Sequence, residues 1–284
     1  MTVKLSAHVN NIALHHMVFA LPFAYMSAFL AARNSPPWHE LFWITLAIAG
    51  ARSAAMALDN LADLKFDRQQ PRLGYRAMVQ GRIGKKEALA SILLYLGVFL
   101  FAVLQLRPIC FKLLPLAVVP FVIYPYTKRF TWLCHWILGG AIAMAPAGAW
   151  VAVTGEITRP MVILCTAVAL WIGAFDAVYG SQDEAFDKEH HLHSLAVRFG
   201  AKNALRICRV LHGLSILLFF LLGILLHLMW LYYVGVIIAA LTLLYQHHIV
   251  RADDFHRVTQ VYFMRNGVVS MAMFLFTVLS LWIS

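Results

Sequence analysis

The sequence predicts an all-α polytopic membrane protein, and two observations lead to this fold class. The 284 residues are 62% hydrophobic and 13% charged, about half the roughly 25% of charged residues in an ordinary soluble domain. Apolar runs of about 17–25 residues can cross a bilayer as helices, and nine such runs follow one another along the chain. No linker or low-complexity segment divides them. We therefore expect one membrane domain over residues 1–284, a bundle of nine transmembrane helices.

The nine candidate spans are joined by short loops except after the second and the sixth, where roughly 25–30 residues intervene, and long ordered loops are usually functional. In the first of these loops Pro71 disfavours helix at the residue before it. We expect short helices in both loops to cap one end of the bundle. The spans are predicted at residues 12–32, 40–58, 88–106, 110–127, 133–154, 160–180, 205–226, 228–248 and 260–283.

Basic residues are distributed unevenly between the two sides of such a bundle. The side that carries the N-terminus has eighteen of the Lys and Arg residues, most of them in the two long loops. The positive-inside rule makes this side cytoplasmic and puts the C-terminus outside. Charge confined to loops between spans does not indicate a nucleic-acid partner. The opposite side has only four basic residues: Arg33, Arg107, Lys112 and Arg159.

The second span ends in a cluster of charged residues. Arg52, Asp59, Asp63 and Asp67 are separated by 7, 4 and 4 positions, steps that keep all four near one face of a helix. Arg52 lies deepest in the span. Ionisable residues within a membrane usually face a partner or a polar cavity, so Arg52 either binds substrate or neutralises one of the aspartates.

The sixth span ends in a second cluster of the same kind, in which Asp176, Tyr179, Asp183 and Asp187 are separated by 3, 4 and 4 positions. Packing so many carboxylates together is unfavourable unless cations intervene. Hard oxygen ligands without a nearby cysteine favour Mg²⁺. The two clusters and their flanks contain eight of the 13 acidic residues: Asp59, Asp63, Asp67, Asp176, Asp183, Glu184, Asp187 and Glu189.

A weak internal repeat relates the two clusters. Asp63 and Asp67 recur 120 residues later as Asp183 and Asp187, and a Gly-x-Lys-x-Ala-Leu pattern follows at 84–89 and again at 200–205. In both halves an apolar helix ends in carboxylates, crosses a basic loop and restarts at a glycine. This order favours two related halves whose clusters face each other.

The clusters resemble the paired aspartate motifs of UbiA-type intramembrane aromatic prenyltransferases. PYTKR at 125–129, PAGAW at 146–150 and HSLAVRFG at 193–200 are similar to segments of the branch that includes 4-hydroxybenzoate polyprenyltransferases and menaquinone-pathway relatives. The resemblance covers nearly the whole chain. It implies a nine-helix bundle with a central cavity, two Mg²⁺ ions and a side opening for lipid substrates in the bacterial inner membrane.

The resemblance also implies a reaction: Mg²⁺-dependent transfer of a polyprenyl group from its diphosphate to an aromatic acceptor, either 4-hydroxybenzoate-like or a menaquinone precursor, in quinone biosynthesis. Asp63, Asp67, Asp183 and Asp187 become the metal–diphosphate ligands, with Asp59 beside them. Asp176 and Tyr179 complete the catalytic set, and either Asp176 or Asp187 takes the proton of the aromatic ring. The diphosphate is expected to contact Asp59 and the basic residues Arg52, Arg68, Arg72, Lys128, Arg129 and Arg198.

The chain departs from the family pattern at two places. Asp59-Asn60 stands where the family has Asn followed by Asp or Arg, so a carboxylate replaces an amide and an N–H donor is lost. His190-His191 stands where relatives usually have a small residue such as Gly. Either change can alter substrate choice.

Two other classes of membrane protein remain as alternatives. Charged residues within spans and repeated halves are also typical of transporters, here one for divalent cations or lipid anions. A lipid-alcohol phosphotransferase also uses helix-borne aspartates with Mg²⁺, but it normally has one dense motif rather than two that are 120 residues apart. The histidines at 190, 191 and 193 favour a solvated cluster over a metal site.

Overall fold

The computed structural model describes residues 17–70, 73–250 and 263–283, and every regular element in these ranges is helical. Some residues of the sequence-based predictions lie outside these ranges. They are Arg72 and the N-terminal ends of the first and last predicted spans, at 12–16 and 260–262. The predicted all-α fold class is confirmed for the described part of the chain.

Helices follow one another along the whole described chain. The first six are α1 (Met17–Ala32), α2 (Trp38–Ala62), α3 (Leu64–Asp67), α4 (Lys85–Leu104), α5 (Pro108–Lys112) and α6 (Leu114–Thr127). The next are α7 (Cys134–Thr154), α8 (Arg159–Gly180), a 3₁₀ turn (Ser181–Asp183), α9 (Glu184–Glu189) and α10 (Leu195–Phe199). The last are α11 (Ala201–Leu225), α12 (Trp230–Ile249) and α13 (Phe263–Ile283).

Within the described residues, seven helices are long and apolar enough to cross a membrane: α2, α4, α7, α8 with its continuation, α11, α12 and α13. The apolar segments Phe19–Ala32 and Leu114–Thr127, in α1 and α6, are shorter. The protein is therefore a polytopic integral membrane protein.

The predicted fourth span at 110–127 is wrong as a single helix, because the chain forms α5 and α6 with Leu113 between them. Pro115 at the start of α6 has no N–H to donate and its ring clashes with the carbonyl four residues before it. The helix that begins at Pro108 therefore stops at Lys112, and a new one starts from the Leu113 carbonyl, which accepts hydrogen bonds from Leu116 and Ala117.

The bundle is held together by α8, which packs between α7 and α11, while α12 and α13 continue the layer back to α1. At its centre Phe23 of α1 lies 5.1 Å from Trp171 of α8 and 5.5 Å from Phe219 of α11, measured between ring centroids. All three side chains are fully buried. On the other side of the molecule α4 packs on α2.

Two of the four arginines and lysines on the predicted outer side have structural roles. The Arg33 guanidinium donates to the Leu226 carbonyl at the end of α11 at 2.8 Å. Arg107 Nε donates to the Ala152 carbonyl in the last turn of α7 at 3.1 Å. Each arginine thus donates to a carbonyl at a helix end, where the carbonyl has no partner in the same helix. This role explains why two basic residues lie on the side of the bundle that carries few of them.

Both halves restart their helices at the predicted glycine, and a glutamate caps each restart. The Glu87 carboxylate accepts the Gly84 N–H at 3.0 Å before α4. The Glu184 carboxylate reaches from α9 to accept the Ala201 N–H of α11, also at 3.0 Å. Glu184 therefore fixes the second carboxylate segment to the helix that follows it.

The closest approach of α7 and α8 occurs at Gly139. A Cβ added to this residue would lie 2.2 Å from the Ala169 carbonyl oxygen, so the two backbones meet where only a hydrogen fits. Small residues permit such contacts between membrane helices. Because α7 and α8 both carry residues of the candidate site described below, this contact also sets the geometry of that site.

We expect Gly139→Ala to lower the thermal midpoint of the detergent-solubilised protein, because α7 and α8 must separate, at a cost of about 1–3 kcal/mol. Gly213→Ala is the matched control, since nothing lies within 4 Å of a Cβ there and alanine gains about 1 kcal/mol of helix propensity. Fluorescence-monitored unfolding of both variants gives the measurement. Equal midpoints would contradict the close contact.

Candidate active site

A cavity of about 820 Å³ lies within the bundle. Its walls come from α1 to α9 and the segments between them, and α10 to α13 contribute none of its lining residues. The walls are mainly apolar. The charged residues that line it are in the C-terminal parts of α2, α6 and α8 and in the short segments that follow: Arg52, Asp59, Asp63, Asp67, Arg76, Lys128, Arg129, Asp176, Asp183 and Asp187.

The aspartates of both sequence clusters therefore line the same cavity, although Asp63 and Asp183 are 120 residues apart. Lys128 contacts Asp187 and Arg129 contacts Asp63, so the C-terminal ends of α2, α6 and α8 lie on one side of the bundle. The cavity thus has a charged end and an apolar remainder. Tyr179 lines the charged end with them.

The prediction that Asp59, Asp63 and Asp67 lie on one continuous helix is wrong. α2 ends at Ala62, and Asp63 adopts φ −93° and ψ 3° before α3 begins. Arg129 causes this interruption of the helix, because its guanidinium donates a hydrogen bond to the Ala62 carbonyl at 2.8 Å. The Phe66 N–H, which a regular helix would direct to that carbonyl, bonds to the Asp63 carbonyl instead.

The second cluster is interrupted in the same way, so its prediction of one continuous helix is also wrong. α8 ends at Gly180 and Asp183 adopts φ −97° and ψ 9° before α9. The Gln182 side-chain amide donates to the Tyr179 carbonyl at 2.8 Å, which is the carbonyl that Asp183 N–H would use in a regular helix. Side chains have replaced one backbone hydrogen bond in each half.

Two consecutive basic residues at the end of α6 join the two clusters. Lys128 Nζ contacts the Asp187 carboxylate of the second cluster at 2.9 Å. Arg129 contacts Asp63 Oδ1 of the first cluster at 3.4 Å. A further tie comes from the backbone, where the His193 N–H donates to the Lys128 carbonyl at 2.6 Å.

Shielding from water and neighbouring charges shift the pKa values of the residues in these pairs. Burial and the carboxylates of Asp59 and Asp67 raise the pKa of Asp63 to about 7. Burial lowers the pKa of Lys128, but Asp187 and Asp183 outweigh it and leave that pKa above its ordinary value. Lys128 is therefore a fixed positive charge at neutral pH.

Arg76, in the segment between α3 and α4, is a site residue that the sequence analysis missed. Its guanidinium contacts Asp67 Oδ2 at 2.5 Å. Burial lowers the pKa of Arg76, but the carboxylates of Asp59 and Asp67 outweigh it and raise that pKa above its usual range. No local pattern distinguishes Arg76 from the other basic residues of its loop.

His135 is the second missed residue. It is buried near the start of α7, and its Nδ1 lies 2.7 Å from Asp176 Oδ2 on α8. A histidine inside a predicted apolar span was the available signal, because ionisable residues within a membrane usually have a polar partner.

The other predicted binding residues have different placements. Arg52 and Asp59 line the cavity. Arg68 and Arg198 are exposed and are not among the lining residues, and Arg72 is outside the described residues.

The histidines after α9 connect the two carboxylate segments. His190 Nε2 lies 2.7 Å from Gln69 Oε1, and the ring stacks on Phe186 with a centroid distance of 4.0 Å. Throughout the described ranges, no three His, Cys, Asp or Glu side chains are grouped closely enough to hold a metal ion. The neighbouring His191 has φ 54°, in the left-handed region.

Comparisons with known proteins agree on one family. A sequence model of the UbiA prenyltransferase family matches residues 20–281. The 4-hydroxybenzoate octaprenyltransferase of Vibrio vulnificus is 31% identical over 254 residues, covering 89% of this chain and 88% of that protein. The apo structure of a UbiA homolog from Aeropyrum pernix superposes with a TM-score of 0.80 at 26% identity and covers 95% of this chain and 98% of that one.

A structure of a UbiA homolog from Archaeoglobus fulgidus bound to DMAPP and Mg²⁺ has a TM-score of 0.75 at 17% identity, with 98% of this chain and 99% of that chain covered. At this identity the likeness is one of fold.

The backbone of His191 generates a stability prediction. A left-handed conformation costs a non-glycine residue about 1–2 kcal/mol, and glycine adopts it without strain. We expect His191→Gly to be more stable than His191→Ala by about 1 kcal/mol. Thermal unfolding of the two variants in detergent is the measurement, and an alanine variant at least as stable as the glycine variant would contradict it.

Proposed function

The chain belongs to the UbiA prenyltransferase family and is therefore a transferase, and from this premise we propose that it moves a polyprenyl group from its diphosphate to a 4-hydroxybenzoate-like acceptor in ubiquinone biosynthesis. The observation that carries the proposal is the cavity, whose charged end suits a diphosphate and whose apolar remainder suits a prenyl chain. A menaquinone precursor is the alternative acceptor.

The residues at the charged end fit a magnesium-dependent reaction. Their side chains offer hard carboxylate oxygens, which Mg²⁺ prefers. Mg²⁺ typically takes one or two carboxylates and completes its shell with water and phosphate oxygens, so pairs of aspartates suffice. We assign Asp63 and Asp67 on one side and Asp183 and Asp187 on the other, with Asp59 adjacent. Bound there, Mg²⁺ neutralises diphosphate charge and makes it a better leaving group.

Three cations of this chain assist the departure of diphosphate. Arg76, Lys128 and Arg129 each hold a cavity aspartate through the contacts described above. With Mg²⁺ held by the carboxylates, these side chains would be available to the phosphate oxygens, as guanidinium and ammonium groups are in other phosphate sites. The allylic C–O bond breaks, and diphosphate leaves with the electron pair.

The apolar part of the cavity protects the allylic cation that remains. Water would quench this cation, and the alkyl and aromatic walls exclude it. Phe121, Tyr124 and Phe175 line the cavity, and an aromatic face can stabilise a cation by roughly 0.5–2 kcal/mol. The aromatic acceptor then forms a C–C bond with the allylic carbon.

The acceptor must finally lose the proton from the carbon that was attacked, so that its ring becomes aromatic again. The candidates from the sequence are Asp176 and Asp187. Both line the cavity, but the Asp187 side chain is fully buried and held by Lys128, whereas the Asp176 side chain is 24% exposed. We therefore assign the proton to the Asp176 carboxylate, and the C–H electron pair returns to the ring. Tyr179 lies beside it on the same wall.

We also propose the finer placement of the protein. It forms a single domain over residues 1–284 with nine spans, in which α1 and α6 complete the seven longer helices. It resides in the bacterial inner membrane with its N-terminus and charged cavity mouth at the cytoplasmic side and its C-terminus outside. The cavity opens sideways to admit lipid substrates. Tagging each terminus with a topology reporter would test the orientation.

The principal test is an activity assay on purified protein with Mg²⁺, a prenyl diphosphate and a panel of phenolic acids. We expect Asp63→Asn and Asp183→Asn each to lower the rate by about 100-fold or more, because charged groups at a reacting centre contribute several kcal/mol. Glu189→Gln is the matched control, since this carboxylate is exposed and does not line the cavity.

Retained activity in the Asp63/Asp183 double variant would refute the site assignment. Flux of divalent cations or lipid anions through proteoliposomes without any prenylated product would favour the transporter alternative. Phosphate transfer to a lipid alcohol would favour the phosphotransferase.

A second prediction separates the two arginines of the same segment. Arg76→Ala should lower kcat at least tenfold, because a positive charge next to Asp67 is lost and one charge-assisted contact contributes about 1.5–3 kcal/mol. Arg68→Ala should stay within twofold of the parent, because Arg68 is exposed and outside the cavity lining. Steady-state kinetics at saturating Mg²⁺ give the measurement, and equal losses in the two variants would contradict the role given to Arg76.

A further inference from the structure

His135 and Asp176 form a pair that spans two helices at the charged end of the cavity. The contact between His135 Nδ1 and Asp176 Oδ2 measures 2.7 Å. The two side chains differ in exposure, 3% for the histidine and 24% for the aspartate. Both residues line the cavity, and the carboxylate is the more exposed of the two side chains.

The surrounding helices are shaped to hold this imidazole. A Cβ on Gly180 of α8 would lie 3.1 Å from His135 Cε1, and one on Gly173 would lie 3.2 Å from the His135 carbonyl oxygen. These glycines are seven positions apart on the face of α8 that meets α7. In the described part of the chain His135 Nε2 is buried without a hydrogen-bond partner, so Asp176 is the polar contact that fixes the ring.

Asp176 needs such an anchor because of its neighbours. Arg52 and Asp59 interact electrostatically with Asp176, so the carboxylate is attracted by one of them and repelled by the other. A hydrogen bond to Oδ2 fixes its orientation and leaves Oδ1 as the oxygen that can take a proton. The carboxylate accepts a proton from a short-lived ring intermediate. A fixed orientation favours this transfer, because misplacement by about 1 Å can cost 100-fold in rate.

We propose that His135 is a positioning residue, which orients Asp176 so that its carboxylate can accept the proton of the prenylated ring. This inference rests on the proposed function. The reaction itself is unchanged: the ring C–H bond breaks, its electron pair restores aromaticity, and the proton moves to Asp176. His135 acts through its contact with the aspartate.

The test uses the full-length protein in detergent and an acceptor deuterated at the ring carbon that is alkylated. His135→Leu should lower kcat by about 10- to 100-fold with the KM for prenyl diphosphate within twofold. The isotope effect on kcat should rise at least twofold above the parent value, because proton removal becomes limiting. His135→Asn should recover most of the rate and the parent isotope effect, since its amide N–H falls near the position of Nδ1.

His212→Leu is the matched control. His212 is equally buried, lies on α11 away from the cavity lining, and contacts the Trp171 carbonyl and His247. It should lower the thermal midpoint without raising the isotope effect. If His135→Leu does not fold, the asparagine variant is compared with His135→Gln. Glutamine carries its amide one methylene further out and should show the raised isotope effect.

The outcomes separate the two ideas. A parent-like rate and isotope effect in His135→Leu, or a loss of rate with an unchanged isotope effect that asparagine does not rescue, would overturn the positioning role. If Asp176→Asn is inactive in that case, the proposed function still stands. Absence of prenylated product from the parent protein with every prenyl diphosphate and phenolic acid tested would instead overturn the proposed function.

Discussion

The structure depends on four contacts, in each of which a carboxylate that lines the cavity is compensated by a cation or a hydrogen-bond donor from another segment. Asp63 has Arg129, Asp67 has Arg76, Asp187 has Lys128 and Asp176 has His135. Removing one partner of a buried pair leaves an uncompensated charge that costs about 3–5 kcal/mol. The pairs therefore decide how the segments that follow α2, α6 and α8 are packed, and those segments form the charged end of the cavity.

The same contacts explain how a protein can keep a highly charged chamber beside a lipid phase and still use it. In the mechanism that we propose, Mg²⁺ held by the carboxylates would compensate their charge in place of the internal partners. Lys128 and Arg129 would then be available to the phosphate oxygens. The buried carboxylates would thus remain compensated throughout.

The sequence predicted the helical fold and both carboxylate clusters, because apolar length and i,i+4 spacing are local signals. It also singled out Lys128 and Arg129, since they follow directly from a span. It did not predict the features that tertiary contacts determine. Arg129 donates to the Ala62 carbonyl, where α2 ends, and Arg76 contacts Asp67 from within a loop of many basic residues. His135 and Asp176 are 41 positions apart, and periodicity cannot pair them. Pro115 was a local signal for the end of α5 that a count of apolar residues overlooked.

The departures of this chain from its family can be weighed in the same terms. His191 occupies a left-handed position on the exposed side of its turn, so the histidine there adds strain and no contact with the cavity. Asp59 differs, since it lines the cavity at the position where the family resemblance implies an amide. Arg76 and Arg52 act electrostatically on Asp59, and Arg76 also contacts Asp67. Arg76 thus serves two carboxylates, which explains why its guanidinium is held so firmly cationic. A substitution at Asp59 therefore changes the electrostatic field of Arg76 at the diphosphate. Of the two departures from the family pattern, Asp59 rather than the histidine pair is the one that affects the reaction.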